Sequence, residues 1–233
     1  MIFSKSKKII LDLFFPIRCQ VCGKEGYWLC KICLSQVKLK ESQVCHVCKW
    51  RKSKLGETCW RCKNTSNLNG VLIVAEPDQQ VLRKLVHKFK YNSFKEVGEI
   101  LGDLFLNKFC HEFKSNEDLT FIPVPLHTKR ERRRGFNQSL ILSSFLGSYT
   151  NLRVLKNTLL RTKNTKPQMK LKRRWRLENL KRAFKVSAKL NPQKTYILVD
   201  DIITTGATLE ECAKALKQAG ANKVWGLVLS RGT

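Results

Sequence analysis

Residues 197–209, reading ILVDDIITTGATL, restrict the possible folds of this 233-residue chain more than any other segment. An unbroken Ile-Leu-Val run marks a strand buried on both faces, as in a parallel sheet covered by helices. The run meets Asp200 and Asp201. Thr204, Thr205, Gly206, Ala207 and Thr208 then lead into a helical pattern at Leu209, Cys212, Ala213 and Leu216. That order sets the polar turn at the carboxyl end of a parallel strand, where α/β sheets bind ligands. Two adjacent carboxylates suit a pair of sugar hydroxyls, or a divalent cation that holds them. The turn offers hydroxyls, backbone N–H groups and a helix N-terminus to a phosphate. Gly206 allows a positive φ or a close backbone approach there. A phosphorylated sugar is the expected ligand.

The apolar pattern elsewhere agrees with an α/β chain. Runs at 71–75, 121–124 and 223–229 predict further strands. Helical spacing recurs at Val81, Leu82, Leu85, Val86 and Phe89, at Val97, Ile100, Leu101, Leu104 and Phe105, and at Leu140, Ile141, Phe145 and Leu146. Strands alternating with helices predict a doubly wound parallel sheet over residues 67–233. Composition changes at NLNG (67–70), so residues 1–66 are expected to form a separate, smaller module.

That module carries eight of the ten cysteines as four C-x-x-C pairs: Cys19 and Cys22, Cys30 and Cys33, Cys45 and Cys48, Cys59 and Cys62. Two pairs give a tetrahedral Zn²⁺ four thiolates, and all-thiolate sites leave no open position, so two structural zinc ions are expected. Loops of seven and ten residues favour Cys19, Cys22, Cys30 and Cys33 on one ion and Cys45, Cys48, Cys59 and Cys62 on the other. By spacing, a cross-braced pairing stays open. Cys110 and Cys212 read as core, and His46 as pointing to solvent.

Lys and Arg number 45 against 18 Asp and Glu, a formal charge of +27. Residues 153–194 hold 15 basic residues and one acidic, Glu178. Such a field attracts polyanions: nucleic acid, an anionic membrane or a highly charged diphosphate. Trp50, Trp60, Trp175 and Phe184 stand among the cations, as stacking on unpaired bases requires. Residues 1–15 read as a short amphipathic helix, too short to span a bilayer. With no export signal or transmembrane segment, a cytoplasmic location is expected. Val124, Pro125, Leu126 and His127 end a strand in a rigid turn, followed by a basic loop at Lys129, Arg130, Arg132, Arg133 and Arg134 that suits a diphosphate leaving group. His127 either donates to phosphate or holds the turn. A polar stretch from Leu160 and Arg161 to Gln168, then 173–179, reads as a lid or a plain loop.

The 200–208 segment resembles the phosphoribosyl-diphosphate (PRPP) signature of type I phosphoribosyltransferases. With Phe15-Pro16, the cysteine pairs, Phe89-Lys90-Tyr91, Pro123-Val124-Pro125-Leu126, Arg134-Gly135-Phe136-Asn137-Gln138, Arg161 with Thr165 and Gln168, Arg176, Asn179 and Ala183-Phe184, the chain resembles the ComF-type competence proteins. The resemblance implies a double zinc ribbon followed by a phosphoribosyltransferase domain. It sets the ribose hydroxyls on Asp200 and Asp201, the 5′-phosphate on Thr204, Thr205, Gly206, Ala207 and Thr208, and the diphosphate with Mg²⁺ on residues 123–134 and Lys90. It also implies a part in DNA uptake during natural transformation, with single-stranded DNA and the uptake machinery as partners. Two readings stay open: a Mg²⁺-dependent phosphoribosyltransferase with an unidentified acceptor, or an inactive single-stranded-DNA-binding protein that keeps the fold. No N-terminal nucleophilic cysteine is present, which argues against glutamine-dependent amidotransfer.

Overall fold

A computed structural model describes residues 16–77, 79–91, 95–112, 118–163 and 180–232. The helix expected over residues 1–15, and the lid residues 164–179 with Thr165, Gln168, Trp175, Arg176 and Asn179, lie outside the described residues.

The amino-terminal part has only short regular elements: helix α1 (Lys31–Ser35) and a hairpin of β1 (Gln43–Val44) and β2 (Lys52–Ser53). So little regular structure cannot enclose a core, and cysteines take its place. The sulfurs of Cys19, Cys22, Cys30 and Cys33 lie within 4.8 Å of one another, and those of Cys45, Cys48, Cys59 and Cys62 do likewise. This is the successive pairing, not the cross-braced one. One knuckle closes both sites. Gly23 donates its N–H to the Cys19 carbonyl at 2.9 Å, and Lys49 donates to that of Cys45 at 2.8 Å. Both residues have positive φ, 80° and 67°.

The second part is built on a five-stranded, wholly parallel sheet of β3 (Gly70–Ile73), β4 (Leu119–Pro123), β5 (Arg153–Val154), β8 (Thr195–Ile203) and β9 (Lys223–Arg231). A separate antiparallel pair, β6 (Leu159–Arg161) and β7 (Phe184–Val186), lies beside it. Strand order is β3-β9-β8-β4-β5. Side chains alternate between two cores, as the period of a strand requires. Ile197, Val199, Leu227 and Leu229 pack with helices α2 (Gln80–Tyr91), α3 (Lys95–Glu112) and α5 (Gln138–Thr150). Leu198, Val71 and Val228 pack with α6 (Ala207–Gln218) and with Leu159, Ala183 and Phe184 of the β6–β7 region. Helices on both faces make the sheet doubly wound.

β3 is an edge strand, and the cysteine-rich module covers it. Lys40 donates to the Val74 carbonyl at 2.8 Å, Val71 to the Gly56 carbonyl at 2.9 Å, and the Gln43 amide side chain bonds both the N–H and the carbonyl of Ile73. An unpaired edge would otherwise recruit another chain. Gly56 is required here: its φ is 84°, and a Cβ would lie 2.1 Å from the Val71 oxygen.

Both aspartates lie within β8, which continues to Ile203. Three expectations are corrected. The basic segment after His127 is helix α4 (Thr128–Arg134), not a loop; its charges show no apolar period. Cys110 is exposed, because it follows buried Phe109 by one residue and so turns about 100° away from the core face. His46 is 5% exposed rather than facing solvent.

Candidate functional site

The ladder between β4 and β8 stops at Pro123 and Val199, whereas β9 accompanies β8 as far as Ile203. From β4 the chain leaves through α4 and α5 to the β5 edge; from β8 it leaves through α6 toward the opposite edge. This is the topological switch point, and a crevice opens beyond Val199 where the two connections part. Asp200 and Asp201 are the next two residues of β8.

Alternation sends the two carboxylates apart. Asp201 is 4% exposed and turns toward α2 and α5, where Lys90 Nζ lies 2.8 Å from its Oδ2 and Gln138 Nε2 donates to the same oxygen at 3.2 Å. Asp200 is half-buried, and its Oδ1 accepts from Ser139 Oγ at 3.0 Å and from the Asp201 N–H at 2.9 Å. Burial, then the charge of Asp201, pushes the Asp200 carboxyl up to about 7. The charge of Lys90 opposes that rise.

The N-terminus of α5 organises this corner. Asn137 caps the helix by accepting the Ser139 N–H at 3.0 Å, and its Nδ2 donates to the Val124 carbonyl at 3.1 Å. Arg134 reaches Gln138 Oε1 from the end of α4. Gln138 and Ser139 were not singled out from sequence as site residues; Gln138 belonged only to a family motif. Their partners are 63 and 61 residues away, so no local pattern could reveal them.

The predicted phosphate turn follows β8. Gly206 has φ 83° and stands as N-cap of α6, and the Ala207 N–H of the first turn donates to Thr205 Oγ1 at 3.4 Å. Thr204, Thr205 and Thr208 are half-buried around it, and Ala207 is buried. Val124 shapes the crevice with its backbone fully used: its N–H donates to the Val199 carbonyl at 3.0 Å and its carbonyl accepts from Asn137. Pro125 and Leu126 continue the wall, half-buried. His127 holds the turn: it caps α4, its Nδ1 accepting the Lys129 N–H at 3.2 Å.

Arg161 reaches the site from β6. Its guanidinium lies 5.5 Å from the Phe184 ring centroid, and burial, then the charge of Arg130, lowers its pKa while Asp200 raises it. Arg130 and Asp200 therefore both act on Arg161. Phe184 is buried beneath that guanidinium and offers no face to a base, which corrects its place among the stacking aromatics. Trp50 and Trp60, by contrast, are 62% and 68% exposed. A cavity of about 790 Å³ lies elsewhere, lined by Leu119, Arg153, Lys194 and Tyr196 near the amino ends of the strands.

The cysteine clusters fit zinc. Cys22 and Cys30 sulfurs are 3.6 Å apart and those of Cys48 and Cys59 are 3.9 Å apart. The edge of a tetrahedron with ~2.3 Å zinc–sulfur bonds is about 3.8 Å. Backbone N–H groups of Trp50 and Arg51 lower the Cys48 thiol to about 6, and burial, then neighbouring thiols, raises Cys33 to about 12. A divalent cation would bind all four as thiolates in each cluster and act structurally.

Against known sequences, the chain is 32% identical over 229 residues to Competence protein F of Haemophilus influenzae, covering 92% of this chain and 97% of that one. The chain belongs to the competence protein F family. Other members are the DNA utilization protein YhgH of Escherichia coli, 30% identical over 91% of this chain and 96% of its own, and Competence protein ComFC of Bacillus subtilis, 26% identical over 82% and 79%. No protein-family model matches. Among the described residues no helix is long and apolar enough to cross a membrane.

Proposed function

We propose that the crevice between β4 and β8 binds PRPP with Mg²⁺, and that the protein uses this site in the handling of incoming DNA. The observation that carries the reading is the meeting, at the switch point, of an acidic step, a glycine-capped helix N-terminus and several cations. Asp200 receives ribose hydroxyls, directly or through Mg²⁺. Asp201 fixes Lys90 beside it. The amides and hydroxyls of 204–208 receive the 5′-phosphate. Lys90, Arg130, Arg134 and Arg161 supply positive charge where the diphosphate would leave. Transfer on such a site breaks the bond from C1 to diphosphate oxygen, which takes the electron pair, while an acceptor bonds C1 and gives up a proton. The acceptor is unidentified; the cysteine-rich module borders the phosphate turn through His46, whose Cδ2 lies 4.0 Å from the position of a Gly206 Cβ.

Calorimetry with PRPP and Mg²⁺ tests the pocket. Binding is expected for the wild type and loss of at least ~tenfold for Asp200→Asn. Because the folded protein retains the Asp200 proton up to about pH 7, binding that needs the carboxylate must release it. Affinity is therefore expected to fall ~tenfold per unit as pH drops below about 6.5 and to level off above about 7.5, with a flat profile in Asp200→Asn. The same shift makes the native state lose stability as pH rises from about 4 to about 7, since the folded form then binds more protons than the unfolded chain. A wild-type protein that binds no PRPP would end this reading.

A second reading, contact with single-stranded DNA, is favoured by one surface. Arg51 lies 5.0 Å from the ring centroid of Trp50 and 5.3 Å from that of Trp60, with Arg61 5.0 Å from Trp60. Exposed aromatics interleaved with guanidinium groups suit stacking on unpaired bases. The relatives' names, competence and DNA utilization, point the same way. In fluorescence anisotropy with a labelled oligonucleotide, affinity should fall steeply with salt, and Trp50→Ala/Trp60→Ala should weaken it about tenfold at fixed salt. Unchanged binding by that double variant would remove this surface from the interface.

A further inference from the structure

A polar cluster outside the acidic step joins the second cysteine site to the phosphate turn. Glu210 sits in the first turn of α6, four residues after Gly206. Its Oε1 accepts from Ser66 Oγ at 2.6 Å and lies 3.0 Å from His46 Nε2. Its Oε2 accepts the Asn67 N–H at 2.7 Å, with Asn67 Nδ2 at 3.4 Å. Opposite an ionised carboxylate, the histidine nitrogen must be the donor. Burial alone would raise the Glu210 carboxyl; the bonds from His46, Ser66 and Asn67 hold it below its ordinary range. His46 follows the cysteine Cys45 directly, and its Cδ2 lies 4.0 Å from the position a Gly206 Cβ would take. The His46 carbonyl is also within 3.5 Å of Arg231 Nη2 at the end of β9.

We propose that Glu210 and His46 are positioning residues that couple the second zinc site to the 5′-phosphate turn. Four donors on one carboxylate fix the first turn of α6, and with it the amides after Gly206, against a segment whose shape depends on Cys45, Cys48, Cys59 and Cys62. If zinc sets His46 and Ser66, zinc sets the turn; by linkage, a phosphate bound in the turn must then strengthen zinc binding by the same factor. Among the described residues, Cys19, Cys22, Cys30 and Cys33 bond within their own loops and not to α6, so only one of two zinc ions should respond. The inference rests on the PRPP reading above and adds a partner site to it.

The test is a zinc competition titration of the full chain with a chelator of known affinity, with and without saturating PRPP and Mg²⁺. In the wild type, PRPP is expected to raise the affinity of one zinc equivalent ~tenfold and leave the other unchanged. Glu210→Ala should retain two zinc ions, lose this protection, and bind PRPP ~tenfold more weakly. Glu211→Gln, whose carboxylate accepts the Arg182 N–H at 3.2 Å, should behave as wild type. Wild-type protein that binds PRPP without any change in zinc affinity overturns the coupling alone, and does so even if Glu210→Ala fails to fold. PRPP affinity in Glu210→Ala within twofold of wild type also overturns it. No PRPP binding by the wild type overturns the pocket assignment and the coupling with it.

Discussion

Cys45→Ser is expected to remove one of two zinc ions and to lower the stability of the whole protein by at least ~4 kcal/mol. The size of the effect follows from what the second cluster holds in place. Cys45 is fully buried, and its sulfur accepts the Cys59 N–H at 3.4 Å, so a shorter, harder oxygen there fits neither the cavity nor the metal. Loss of the ion frees the segment carrying Gln43, His46 and Gly56. The side-chain bonds of Gln43 to Ile73, the Val71 bond to Gly56 and the donors on Glu210 then loosen together. That exposes the β3 edge of the sheet, which makes aggregation above the transition a second expected sign. Zinc measured by colorimetric release after unfolding should give two equivalents per chain for the wild type and one for the variant, and urea unfolding should report the lost stability. Two equivalents in Cys45→Ser, or an unchanged urea midpoint, would show that the cluster is not a metal staple.

The second large effect is expected at Lys90. Lys90→Met should cost about 3 kcal/mol, because it leaves the Asp201 carboxylate in the interior without its cation. Gln138 alone cannot replace the charge across 2.8 Å that Lys90 supplies. Asp201→Asn in the same chain should recover most of that loss, since a neutral amide needs no counter-charge and can still bond Gln138. Chemical denaturation of the two single variants and the double variant gives the coupling directly. PRPP binding should not return with stability, because Lys90 is absent from the diphosphate side in both. Additive stability losses in the double variant would mean that the ion pair does not hold this corner of the fold.

Much of this architecture was legible in the sequence, for physical reasons that differ by element. The 197–199 run is buried on both faces, so its composition alone announced a parallel strand. Thiolate pairs must converge on a point, so short loops favoured the successive pairing that the 4.8 Å clusters display. The helices carrying Leu85, Phe89, Leu101 and Phe105 were legible because their apolar positions recur at helical spacing. Helix α4 was not, since a run of Lys, Arg and Glu has no apolar face to display. β5 was missed because two residues carry no period, and β6 and β7 for nearly the same reason. The site was legible along β8 and the turn after it, where its parts are sequential. Where the candidate site is assembled across the chain, residue patterns alone did not show it; only the family resemblance brought Lys90 to the aspartates. Ser139 meets Asp200 over 61 residues, Gln138 meets Asp201 over 63, and Ser66 meets Glu210 over 144. His46 could not be placed from its neighbours alone, because what buries it is a helix more than 160 residues later.

Diffraction from crystals of the full chain soaked with PRPP and Mg²⁺ reads the position of the ligand itself. The expected density sets the 5′-phosphate against the amides of Gly206, Ala207 and Thr208, the ribose hydroxyls toward Asp200, and the diphosphate toward Lys90 and Arg161. Ligand density at the amino ends of the strands, in the cavity beside Arg153 and Lys194, with the β4–β8 crevice holding only water, would contradict the assignment.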